Sequence, residues 1–138
     1  MAIEMKINYK KQGKRNLASG RRFEAKTRAD LESNGWIVSK WQNNVNLKEG
    51  RLIPAKQGRF RKTSTGFPDF IAFRISDNSG IHKYYEVIGV EVKSNGYLTP
   101  EEKAKCDWLL RNNIFSKILI ASKSKKRGEI IYKEYGDV

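Results

Sequence analysis

The sequence predicts an α/β domain, a central mixed β-sheet flanked by helices. Three observations carry that expectation. An early stretch repeats its apolar residues at helical spacing, two β-rich runs are joined by a cluster of turn residues, and a strongly capped helix is followed at once by an apolar strand. The 138 residues suit one domain with one core, and 38% hydrophobic content suits a globular chain.

The elements follow in order. Residues 1–18 are basic and weakly periodic and read as an N-terminal arm; residues 19–138 read as a single domain. Ser19 is the expected N-cap of a helix of roughly 15 residues, in which Phe23, Thr27 and Leu31 form one buried stripe. Asn34-Gly35 ends it with the pair that tolerates left-handed backbone. Residues 36–41 read as a strand. Residues 42–66 form a basic insert, long for a loop in a compact domain, with room for an extra hairpin. Phe67–Ile75 and Tyr84–Lys93 read as a hairpin joined through Asp77-Asn78-Ser79-Gly80. Thr99-Pro100-Glu101-Glu102 opens a helix with Thr99 as N-cap, Pro100 at its first position and Glu102 completing a capping box. That helix runs to about Asn112 with Ala104 and Trp108 inward. Ile114–Ala121, a basic turn over 122–128, and Glu129–Tyr135 complete a strand–turn–strand ending.

Charge narrows the function. Lys and Arg number 28 against 15 Asp and Glu, a net charge of +13. The excess is lopsided, since residues 1–66 carry 16 basic and 5 acidic side chains. A polyanion is the expected partner, and DNA the foremost one. Candidate contacts are Arg51, Lys56, Arg59, Arg61 and Lys62, with Ser64 and Thr65 as further candidates to meet a phosphate. No run approaches the roughly 20 apolar residues of a membrane span, and the N-terminal residues lack the apolar core of a secretory signal. An intracellular, cytoplasmic protein without membrane contact is expected. Cys106 is the one cysteine and His82 the one histidine, which leaves no ligand set for Zn²⁺.

The informative segment is Gly66-Phe-Pro-Asp69 followed by Gly89-Val-Glu91-Val-Lys93. Side chains two apart on a strand share a face, so Glu91 and Lys93 project together while Val90 and Val92 enter a core. A turn centred near residues 79–80 sets Asp69 opposite the neighbourhood of residue 90, where it converges with Glu91. Two carboxylates, a backbone carbonyl (Val92) and water suit a hard cation, Mg²⁺, with Mn²⁺ expected to substitute. Beside such an ion Lys93 can orient water, stabilise charge on a phosphorus centre, or act as a base if burial lowers its pKa. The simpler alternatives are a turn role for Asp69 after Pro68 and an edge-strand role for Glu91 and Lys93. Glu101 and Glu102 read as capping residues, and the three tryptophans as core, with Trp41 also available to stack on a base.

These residues resemble the PD-(D/E)xK nuclease superfamily, Pro68-Asp69 matching the first half and Glu91-Val92-Lys93 the second. The run GRRFEAKTRADLESNGW resembles the first helix of archaeal-type Holliday-junction resolvases, and GFPDFIAF with GVEVKSNGYLTPEE resembles VRR-NUC domains. The resemblance spans roughly residues 19–121. It implies a restriction-endonuclease-like core and Mg²⁺-dependent endonucleolytic hydrolysis of DNA phosphodiester bonds. By resemblance to the resolvases the substrate is branched or duplex DNA cut structure-specifically, in recombination and repair. The resemblance further implies that Glu24 completes a metal site with Asp69, Glu91 and the Val92 carbonyl; its alternative reading is a solvated residue of the helix start. Glu102 departs from the VRR-NUC pattern, which commonly has Gln there. One candidate site per domain and two DNA strands make a twofold homodimer the expectation. The alternatives are a sequence-specific restriction or homing endonuclease whose insert reads base edges, and a non-catalytic basic nucleic-acid-binding protein.

Overall fold

The one-turn recurrence of Phe23, Thr27 and Leu31 seats the first helix, α1 (Tyr9–Ser33), against the sheet, and all three side chains are buried. Thr27 satisfies its hydroxyl within the helix by donating to the Phe23 carbonyl at 2.8 Å, so a polar group can occupy the stripe. The computed structural model describes residues 9–55 and 66–136, with α1 side chains from Leu17 onward. The helix starts at Tyr9 rather than Gly20, so residues 9–18 of the expected arm are helical and Ser19 lies within the helix instead of capping it. The glycines of this stretch do not stop it, since an isolated glycine costs a helix only about 1 kcal/mol and no proline interrupts the run. Residues 1–8 lie outside the described residues.

Gly35, at φ +90°, ends α1 as expected. The Trp36 N–H donates to the Leu31 carbonyl and the Gly35 N–H to the Glu32 carbonyl, both at 3.1 Å. This is the Schellman pattern, and its usual apolar contact is supplied by Trp36 and Leu31 in one core cluster.

The chain then runs β1 (Ile37–Lys40), β2 (Asn43–Asn46), β3 (Arg51–Pro54), β4 (Phe70–Asp77), β5 (Tyr84–Val92), α2 (Pro100–Arg111), β6 (Lys117–Lys123) and β7 (Ile130–Glu134). Five of these strands form a mixed sheet in the order β1-β4-β5-β6-β7. Only the β5–β6 pair is parallel, because α2 crosses between them. The basic insert does hold a hairpin, β2–β3, paired from Asn43↔Pro54 to Asn46↔Arg51. Residues 56–65 of the insert lie outside the described residues.

The sheet is packed on both faces, and the strands show it in their alternation. On the α1 face lie Val38, Phe70, Ala72, Ile88, Val90 and Ala121 with Leu31 and Trp36. On the other lie Ile118, Ile120, Phe67, Phe115 and Val45 with Cys106 and Leu109 of α2. The inward side of α2 is therefore centred on Cys106 and Leu109; Ala104 and Trp108, expected to be the buried pair, are only half-buried. The cap of α2 matches the sequence: Thr99 and Glu102 exchange both capping-box hydrogen bonds. Two expected strands begin three residues later than read. Phe67-Pro68-Asp69 is a bend before β4, and Ile114–Ser116 precedes β6. Among the described residues no helix is long and apolar enough to cross a membrane.

Candidate active site

The antiparallel register of β4 and β5, Phe70↔Val90 and Ile71↔Gly89, continues one step beyond the strand to set Asp69 beside Glu91. Two hydrogen bonds fix the pair. The Asp69 N–H donates to Glu91 Oε1 at 3.1 Å, and the Val92 N–H donates to Asp69 Oδ2 at 2.8 Å. Each carboxylate thus spends one oxygen on the other strand's backbone and keeps the second. The bend before Asp69 is held by Pro68, which is fully buried. A Cβ at Gly89 would stand 2.7 Å from Pro68 Cγ and 3.1 Å from the Phe115 ring, so only glycine lets proline approach β5 this closely. Gly89→Ala should therefore push the Pro68-Asp69 bend off β5. The expected cost is about 1–3 kcal/mol of stability with loss of Asp69 alignment. Denaturant unfolding reads the first effect, and the Asp69 amide shift in NMR spectra the second; wild-type values for both would refute the packing argument.

Glu91 is 5% exposed. Burial raises its carboxyl pKa strongly; the charge of Asp69 and the side-chain hydrogen bond to it raise it further, against a lowering by Lys93. Two carboxylates so close, one of them dry, form a site that gains from a cation. Asp69 and Glu91 each offer a carboxylate oxygen not held by backbone, and oxygen donors of this kind fit a hard divalent ion that retains much of its water.

Lys93 points to the same side as Glu91, as strand alternation requires. Its Nζ lies 3.9 Å from Glu91 Oε2 and 2.5 Å from Glu102 Oε2. Burial lowers its pKa, but the hydrogen bond to Glu102 and the charges of Glu91, Glu102 and Asp69 outweigh that and leave it above the ordinary lysine value. Lys93 is thus held as an ammonium, which favours the charge-stabilising role over that of a base. Glu102 is the site residue that sequence reasoning missed. Its Oε1 caps α2 through the Thr99 N–H at 2.8 Å while its Oε2 binds Lys93. Burial raises the Glu102 pKa, but its bonds to Lys93 and Thr99 prevail and lower it. Glu102→Gln keeps an acceptor for Thr99 and removes the charge, so the Lys93 pKa should fall. An NMR titration of the Lys93 side chain reads this directly, and an unmoved midpoint would remove Glu102 from the site.

Glu24, on α1, is half-buried. Burial raises its pKa first and the charge of Asp69 second, while Lys40 and Arg21 lower it. It therefore lies within the field of Asp69, but among the described residues no three His, Cys, Asp or Glu side chains gather closely enough to hold a metal ion. The structure brings together Asp69, Glu91 and Lys93 and leaves Glu24 as a neighbour across the sheet.

The remaining candidates disperse. Arg51 is exposed on β3 and pairs with Glu49 at 2.6 Å. Lys56, Arg59, Arg61, Lys62, Ser64 and Thr65 lie outside the described residues. Trp41 is packed edge-on against Phe115 with ring centroids 5.1 Å apart, so its ring serves the core rather than a base. His82 is exposed in the β4–β5 turn. Cys106 is fully buried, and burial pushes its thiol up to about 12, which leaves it unreactive. No protein-family model, curated protein or solved structure matches the chain.

Proposed function

We propose that this protein is a metal-dependent endonuclease of the PD-(D/E)xK type, built on a restriction-endonuclease-like core, that hydrolyses DNA phosphodiester bonds. The observation that carries the reading is the hydrogen-bonded Asp69–Glu91 pair with an ammonium, Lys93, beside it. Asp69 and Glu91 are the residues that would hold Mg²⁺ or Mn²⁺, with the Val92 carbonyl as a further donor. When bound there, such an ion lowers the pKa of a coordinated water and offsets negative charge on the phosphate.

The chain's own contribution is positioning and charge. The Glu91 carboxylate is fixed by the Asp69 N–H and that of Asp69 by the Val92 N–H before any ligand arrives, so little reorganisation is needed at the moment of reaction. Lys93, steadied by Glu102, supplies positive charge where the phosphorane oxygens become more negative. The net charge of +13 supplies affinity through phosphate contacts without reading sequence, which favours recognition of DNA shape, branched DNA above all. Two strands to cut and one site per chain favour a twofold homodimer.

The test is cleavage, with Mg²⁺ and then with EDTA, of a linear duplex, a flap, a four-way junction and a single strand. Metal-dependent nicking strongest on the branched substrates is expected. Equal cutting of all duplexes at one sequence would favour a restriction or homing enzyme. Binding of every substrate with no cleavage in Mg²⁺ or Mn²⁺ would leave a non-catalytic nucleic-acid-binding protein.

A further inference from the structure

The basic turn between β6 and β7 lies beside α1, and the two line an open hollow of about 480 Å³. That volume is within the range of small-molecule sites. Five cations line it, Arg22 and Lys26 one turn apart on α1, Lys123 at the end of β6, and Lys126 and Arg127 from the turn. Glu129 is the one acidic residue of the lining. None of the five cations has a carboxylate partner among the described residues, whereas Arg28, Arg51, Lys93, Lys105 and Lys117 do. Unpaired like charges around one hollow repel each other, a cost that an anion would remove.

The floor is of a different character. Phe23 is buried, and Lys123 Nζ lies 5.4 Å from its ring centre; Ile130 extends the apolar surface. The turn is held in place by its own hydrogen bonds. The Ser124 N–H donates to the Glu129 carbonyl and the Lys126 N–H to Ser124 Oγ, both at 3.1 Å. A cationic rim over an apolar floor matches a ligand that is anionic at one end and flat and apolar at the other.

The cavity opens at the same end of the sheet as the candidate active site. Lys93 N–H donates to the Ala121 carbonyl at 2.8 Å and Lys123 N–H to the Ser94 carbonyl at 3.1 Å, so Lys93 and Lys123 stand at the same end of neighbouring strands but on opposite faces, Lys93 turned to Glu102 of α2 and Lys123 to Phe23 of α1. On α1, Phe23 faces the cavity while the adjacent Glu24 lies in the field of Asp69. We propose that the cavity is a nucleotide subsite. It seats a backbone phosphate of a DNA strand among Arg22, Lys26, Lys123, Lys126 and Arg127, with the attached sugar and base against Phe23 and Ile130. The identity of the occupant rests on the nuclease reading; the site itself is tested without cleavage.

The experiment is an NMR titration of the isotopically labelled full chain in EDTA with deoxythymidine 5′-monophosphate, with inorganic phosphate, and with thymidine. The nucleotide should shift the amides of Arg22, Phe23 and residues 126–128, phosphate should do so more weakly, and thymidine should leave them unmoved. Replacing Lys26, Lys126 and Arg127 together by alanine, all exposed and outside the core, should abolish the shifts. It should also weaken binding of an oligothymidine strand about tenfold at moderate salt. Shifts centred elsewhere, a phosphate response equal to that of the nucleotide, or oligothymidine binding unchanged in the triple variant would each overturn the subsite. If cleavage fails in every substrate while the cavity shifts persist, the nuclease reading falls and the subsite stands.

Discussion

Asp69→Asn and Lys93→Met should each lower Mg²⁺-dependent cleavage by about 10²–10³-fold, the range for removing one preorganised electrostatic group from an active site. Affinity for uncleaved DNA should change by no more than about twofold, since one or two charges leave from a surface of many phosphate contacts. Asp69→Asn keeps an oxygen that accepts from the Val92 N–H, so the bend and register survive while the charge is lost. Lys93→Met keeps an unbranched stem of similar reach and removes the ammonium that Glu102 and Glu91 hold. Neither residue belongs to the buried core, so thermal melts should stay near wild type and show that the loss is one of function. The pairing of the two variants is the check. Wild-type cleavage in both would place the chemistry elsewhere, whereas loss of DNA binding in step with cleavage would mean that the site holds the substrate rather than transforming it.

The pair was legible in the sequence because its cause is local. The turn residues Asp77-Asn78-Ser79-Gly80 fix the centre of the hairpin, and strand alternation does the rest. The expectation that Asp69 lies near residue 90 differs by one position from the Asp69–Glu91 pairing that follows from Phe70↔Val90. The Thr99 cap was legible for the same reason. What escaped was set by contacts between distant segments. Glu102 was fully explained as a capping residue, and only the packing of α2 beside the end of β5 shows that its second oxygen meets Lys93. The rotation of α2 that buries Cys106 and Leu109 depends on Phe67 and Val45, both far from it in sequence, as well as on Ile118. The early start of α1 was hidden because a polar helix has no apolar period to read. The hairpin β2–β3 was hidden because its strands are four residues long and rich in asparagine. The basic turn over 122–128 carried no signal of a cavity, since half of that cavity is α1, some hundred residues earlier.

Glu91→Gln should stabilise the metal-free protein while ending its response to metal. In the unfolded chain Glu91 titrates as an ordinary carboxyl; in the folded protein burial and Asp69 raise its pKa. The folded state therefore holds the proton more tightly. The stability this contributes is complete below the ordinary glutamate pKa and is lost as pH rises through the raised folded value. At neutral to mildly alkaline pH the wild-type protein carries that penalty. Glutamine removes it, because its carbonyl still accepts from the Asp69 N–H and its amide can donate to the Asp69 carboxylate, as the protonated acid does. In EDTA at pH 8 the variant should be more stable by about 1–3 kcal/mol, and the advantage should shrink as the pH is lowered towards 4. Thermal melts in Mg²⁺ should show the reverse ordering of response. The wild-type Tm should rise with metal concentration as a ligand that binds only the folded state requires, and the Gln variant should stay flat. A variant that is destabilised in EDTA would mean that the Glu91 carboxylate is held for structure, and a variant that still gains stability from Mg²⁺ would mean that the ion sits elsewhere. The joint outcome, greater stability without metal and no gain with it, is what distinguishes a carboxylate kept at a cost to the fold for the sake of a cation.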